Sequence, residues 1–206
     1  MNTQPSFSID NYEYKWDAGD YVYRSDIMQR IQECFQKAIY SHCKVFVVRL
    51  DIHFPQDFTH DGTNSSVSAL LHRLMAHYAY HKITCRYVWA REQNKSAAPH
   101  YHLLLLLDGS KIHNGRGPCS LATGLWSSII NRSSASGLIH LSEPGTYGGI
   151  MIRRPTSCAP RAKQNEEIAQ FEAAYRAAYK WAIYLAKTYT KGNAPNGVRE
   201  FGSSHF

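Results

Sequence analysis

Residues 100–108 read His-Tyr-His-Leu-Leu-Leu-Leu-Leu-Asp, and no other segment limits the possible folds as sharply. Side chains along a strand alternate between the two faces of a sheet. Five consecutive leucines, Leu103 to Leu107, therefore put apolar groups on both faces. Such a strand needs cover above and below, which places it in the middle of a sheet between two other layers. The run is far too short to span a bilayer, which takes about 20 apolar residues, so no membrane partner is expected.

The rest of the chain supplies elements for such a sheet. Ile27, Ile31, Cys34, Phe35 and Ala38 recur at helical spacing and predict a helix over 25–40, with Ser25 as its N-cap. Residues 45–54 form a strand that puts Phe46, Val48, Leu50, Ile52 and Phe54 on one face and Arg49, Asp51 and His53 on the other. A helix over 67–81 and a strand over 86–92 come next. Seven residues then lead into the leucine strand, and a loop that short most simply makes an antiparallel hairpin. A helix over 121–131, two short strands flanking Pro144-Gly145, and a long helix over 165–191 complete the pattern. The expected class is α+β, with residues 1–24 as an N-terminal arm, 25–192 as one domain and 193–206 as a flexible tail. With 206 residues, 44% hydrophobic and 19% charged, the chain suffices for one substantial core.

Charge and cysteines narrow the function. A net charge of +7 favours a polyanionic partner, since each phosphate neutralised by Lys or Arg releases a counterion. The aromatic content of 13% offers faces on which unpaired bases can stack. The five cysteines are scattered with no C-x-x-C pair, and the N-terminus has neither a basic start nor an apolar run. A reduced, cytoplasmic protein is expected.

His100 and His102, two apart on a strand, share a face and can hold one divalent cation. A pair of hydrogen-bonded histidines at a strand end is the plainer alternative. Symmetric pairing of the hairpin puts Glu92 opposite His100 and Ala90 opposite His102, adding a carboxylate on the same face. Mixed nitrogen and oxygen ligands with open positions suit Mg²⁺ or Mn²⁺ in a catalytic role. Asp51 and His53 are candidates to line this site, with Asp51 an alternative third ligand.

On the last helix, Ile168, Phe171, Tyr175, Ala178, Ala182 and Leu185 form an apolar stripe. Tyr184 points away from it, with Lys180, Lys187 and Lys191 as its neighbours at helical spacing. This is either a nucleophile beside cations that would hold a phosphate, or a solvated helix face.

These pieces resemble the HUH superfamily of single-strand endonucleases, which includes rolling-circle replication initiators, relaxases and related transposases. His100-Tyr101-His102 and the aliphatic strand after it match the His-hydrophobic-His element. Tyr184 to Lys187 matches the Y-x-x-K element on a downstream helix, and Glu92 takes the place of an upstream third metal ligand. The wider pattern, from VVRLDIHF through EQNKSAAPHYHLLLLLDG to YLAKTYTKG, is similar to the YagK/YfjJ C-terminal family and to inovirus-type replication proteins of phages and prophages. The resemblance implies a ferredoxin-like antiparallel sheet with the metal on one face. It also implies attack by Tyr184 on a scissile phosphate, assisted by Lys187, to give a 5′-phosphotyrosine and a free 3′-OH.

Single-stranded DNA or a DNA hairpin at a replication origin is the implied substrate, with Arg176, Lys180 and Lys191 as backbone contacts. Unwinding and synthesis would come from a host helicase and polymerase. One nucleophile is expected, because Tyr184 and Tyr189 diverge on a regular helix while Tyr175 and Tyr179 lie on or beside the apolar stripe. The rival readings are a prophage regulator that binds DNA without cutting it and a metal-dependent hydrolase that uses water.

Overall fold

A computed structural model describes residues 22–93, 98–142, 147–156, 160–188 and 191–204. Helix α1 (Ser25–Ser41) leads into strand β1 (Lys44–Ile52), followed by α2 (Ser65–Tyr80) and the hairpin β2 (Cys85–Glu92) and β3 (His100–Asp108). Helix α3 (Arg116–Ile129), short strands β4 (Ile139–Leu141) and β5 (Ile150–Arg153), and helix α4 (Arg161–Ala182) come next. A single 3-10 turn (Ile183–Ala186) continues α4, and β6 (Phe201–Ser203) ends the described chain.

These strands form one antiparallel sheet in the order β4-β1-β3-β2-β6, with β5 also on β1. The leucine strand β3 is central, as its two apolar faces require. Leu103, Leu105 and Leu107 pack with Phe46, Val48, Leu50 and Ile52 of β1 beneath α2 and α3, against Leu70, Leu74 and Trp126. Leu104 and Leu106 face the other way, with Val45 and Val47, into a second core built from α1 and α4. Each buried leucine side chain contributes roughly 1.5–3 kcal/mol of transfer free energy. A strand feeding two cores is therefore held from both sides.

Several boundaries differ from expectation. Ser25 is the first residue of α1 rather than its cap; Arg24 holds that position and makes no side-chain cap bond. Strands β4 and β5 do not pair with each other. Both lie along β1, β4 beside Leu50–Ile52 and β5 beside Lys44–Val47, forming one interrupted edge. Pro144 and Gly145, between them in sequence, lie outside the described residues.

The segment read as a flexible tail instead adds β6, whose Gly202 sits opposite Trp89. A Cβ at Gly202 would lie 2.6 Å from the Trp89 indole nitrogen, so only glycine lets the strand come this close.

Helix α4 stops at Ala182, well short of Lys191. The backbone beyond it is captured by the N-terminal segment. Tyr23 bridges Lys187, the Arg24 N–H donates to the Ala186 carbonyl at 2.8 Å, and the Thr188 N–H donates to the Val22 carbonyl at 3.1 Å. These bonds replace the carbonyl acceptors and N–H donors of further helical turns.

Candidate active site

The hairpin register places the histidines. Glu92 pairs with His100 and Ala90 with His102 across β2 and β3, and Asp51 of β1 pairs with His102 from the other side. Cross-strand partners point to the same face, so the α1/α4 face of the sheet carries Glu92, His100, His102 and Asp51 together.

Glu92 Oε2 lies 3.2 Å from His100 Nε2 and 3.2 Å from His102 Nε2. The three ligand atoms are all within 4.8 Å of one another. His102 is buried, and its Nε2 makes no hydrogen bond despite its closeness to Glu92. On its other nitrogen, His102 Nδ1 contacts Asp51 Oδ1 at 2.5 Å. An ionised Asp51 can only accept, so Nδ1 carries a proton, and in the neutral imidazole Nε2 keeps its lone pair. Asp51 thus stands behind a ligand rather than serving as the third one.

Two imidazole nitrogens, one of them buried with no hydrogen-bond partner, and one carboxylate oxygen fit a divalent cation of the Mg²⁺, Mn²⁺ or Zn²⁺ size class.

Charge at the site is tightly coupled. Burial pushes the Glu92 carboxyl up, but its contacts with His100, His102 and Lys191 outweigh burial and hold it far below the carboxylate range. Burial likewise pushes Asp51 up, and the His102 hydrogen bond brings it below its ordinary value. Burial alone would lower His102, yet Asp51 and Glu92 raise it. His53 stacks on His100 at 5.3 Å between ring centres, and burial with the neighbouring histidines lowers its pKa. His140, opposite Asp51 on β4, packs edge-on against His53 at 5.4 Å. No pattern in the sequence pointed to His140, because β4 could not be assigned a neighbour.

Tyr184 lies on the 3-10 turn and not on a regular helix, so the helical-wheel reason for its orientation does not hold. It reaches the site nonetheless. Its ring packs edge-on against His102, 5.2 Å between centres. Lys187 Nζ lies 4.4 Å from the ring centre and Arg49 Cζ 4.5 Å.

Lys191 is not a surface phosphate contact. With the helix ended early, the chain returns to β2, where Lys191 Nζ bonds Glu92 Oε1 at 2.7 Å with its side chain 1% exposed. Arg176 and Lys180 are exposed on α4, on a face separate from the ligand cluster. Tyr175 and Tyr179 are buried, their rings stacked at 5.9 Å in the α1/α4 core. Tyr189 lies outside the described residues. No helix among the described residues is long and apolar enough to cross a membrane.

The domain is thus of the α+β class, an antiparallel sheet with a His-His-Glu cluster at one end and a tyrosine ring against it. A family model for the YagK/YfjJ C-terminal domain matches residues 9–204, and the chain belongs to that family. No curated protein and no solved structure matches it significantly.

Proposed function

We propose that this protein is a metal-dependent tyrosine endonuclease of the HUH kind, nicking single-stranded DNA as a phage or prophage replication initiator. The observation that carries this reading is the contact of the Tyr184 ring with His102, a member of the His100/His102/Glu92 cluster. The β-α-β-β-α-β order with strands arranged 4-1-3-2 and both crossover helices on one face supports a ferredoxin-like assignment.

A divalent cation, when bound, would polarise the scissile phosphate and orient it. His100, His102 and Glu92 would hold that ion, while Asp51 fixes the His102 tautomer. Tyr184 is the nucleophile. Its phenolic oxygen bonds to phosphorus as the bond from phosphorus to the 3′ oxygen breaks, and the phenol's proton ends on the released 3′-OH. Lys187 places a positive charge beside this ring, offsetting repulsion between the attacking oxygen and the phosphodiester anion. The covalent link conserves the phosphodiester bond energy for a later rejoining step.

The test is incubation with labelled single-stranded DNA and Mn²⁺ or Mg²⁺, followed by denaturing electrophoresis. The wild type forms a protein–DNA adduct, and Tyr184→Phe binds DNA but forms none. Cleavage without an adduct would make the protein a hydrolase. DNA binding without cleavage would make it a regulator.

A further inference from the structure

We infer that Arg49 is a positioning residue that clamps the Tyr184 ring to the ligand side of the site, an inference that rests on Tyr184 being the nucleophile. Arg49 lies on β1 two residues before Asp51, on the same face of the sheet. Its side chain is 10% exposed, and it touches both halves of the site. The guanidinium carbon stands 4.5 Å from the Tyr184 ring centre and 5.5 Å from that of Trp181. Nη1 donates to the Trp181 carbonyl at 3.4 Å, where α4 is ending. Nε stands 3.6 Å from Asp51 Oδ1, the same oxygen that receives His102 Nδ1.

This is a poor arrangement for stability alone. Nε is buried and makes no hydrogen bond, and burial draws the guanidinium below its ordinary pKa against the pull of Asp51 and Tyr184. A buried cation whose carboxylate partner stands 3.6 Å away without a hydrogen bond generally costs a fold more than an apolar side chain of similar size. What the arrangement does supply is a rigid plane between the carboxylate behind His102 and the face of the tyrosine.

Tyr184 needs such a clamp because a 3-10 turn of four residues gives it little local support. Lys187 cannot replace Arg49. It comes from the same turn as Tyr184, and a flexible ammonium stem offers a point charge rather than a plane.

The experiment uses the full chain, metal-free, with labelled tyrosine and histidine. Magnetisation transfer between the His102 imidazole and Tyr184 ring protons reads their separation directly. Wild type shows the cross-peaks. Arg49→Gln loses them, and Arg49→Lys, which keeps the charge without the plane and guards against a folding failure, does not restore them. In both variants adduct formation slows by about ten- to a hundredfold, the penalty for a misplaced reacting group, while single-stranded DNA affinity changes little. Cross-peaks that persist in Arg49→Gln, or that Arg49→Lys restores, overturn the inference. If they depend on Arg49 but the wild type forms no adduct, the clamp stands and the endonuclease reading falls.

Discussion

Replacing Lys191 with methionine removes a cation from the interior and leaves Glu92 Oε1 without its partner. The pair spans 2.7 Å, with side chains 1% and 4% exposed, so neither charge has water to turn to. Burial draws Lys191 below its ordinary pKa although Glu92 opposes this, and the pair exists because each ion offsets the other's desolvation. Breaking a buried pair from one side costs about 3–5 kcal/mol. The escape route, protonating Glu92 at pH 7 from an ordinary carboxyl pKa near 4.3, costs about 4 kcal/mol and limits the loss to the same range. In a domain of this size each kcal/mol moves Tm by about 2–4 °C, so Lys191→Met should melt about 6–20 °C lower in EDTA.

Mn²⁺ should then recover more of the loss than it adds to the wild type. Without Lys191 the site has one fewer repelling charge and a second free carboxylate oxygen. Binding at a hundredfold excess over Kd stabilises by about 2.7 kcal/mol. Differential scanning fluorimetry of both proteins in EDTA and in Mn²⁺ measures all four melting points. A Tm in EDTA within about 2 °C of the wild type, or an equal Mn²⁺ increment in both proteins, would refute the reasoning.

Two further expectations follow from the same cluster. Asp51→Asn can no longer hold the His102 Nδ1 proton as an ionised acceptor, so calorimetric titration should show Mn²⁺ binding about 10–100-fold weaker; unchanged affinity would remove Asp51 from the site. The contribution of Asp51, Glu92 and His102 to metal-free stability should peak between about pH 4 and 6.5. The lowered Asp51 and Glu92 contribute above their ordinary pKa and lose that contribution as pH falls toward their folded values, while the raised His102 contributes below its ordinary pKa and loses its share as pH rises through its folded value. Mn²⁺ competes with the His102 proton, so saturating metal should move the optimum upward; an optimum that stays put would mean His102 is not a ligand.

The metal half of the site was legible because it is local. A seven-residue connection and a period of two are enough to set Glu92 against His100, and both are written into one short stretch of chain. The role of Asp51 was harder to read. Its face was predictable from alternation along β1, but whether it ligates or stands behind His102 depends on β1 lying beside β3, a pairing between segments some fifty residues apart. Arg49 was visible on that same face, but its contact with Tyr184 depends on where the end of α4 brings that ring.

The tyrosine half shows how a helical wheel can bring a residue to the site for the wrong reason. Periodicity carried α4 through to Lys191 and put Tyr184 on a basic face opposite the apolar stripe. In the fold, backbone bonds from Val22, Tyr23 and Arg24 capture residues 186–188 and end the helix four residues before Ala186. Local propensity says nothing of a partner more than 160 residues away.

That early ending has two consequences for the site. Tyr184, two residues beyond the helix, turns against His102 rather than out to solvent. Lys191, freed from helical register, folds back to neutralise the very carboxylate that would share the metal. The N-terminal segment is thus part of what assembles the site, and the same backbone pairing that breaks the helix sets the distance between ligand and tyrosine.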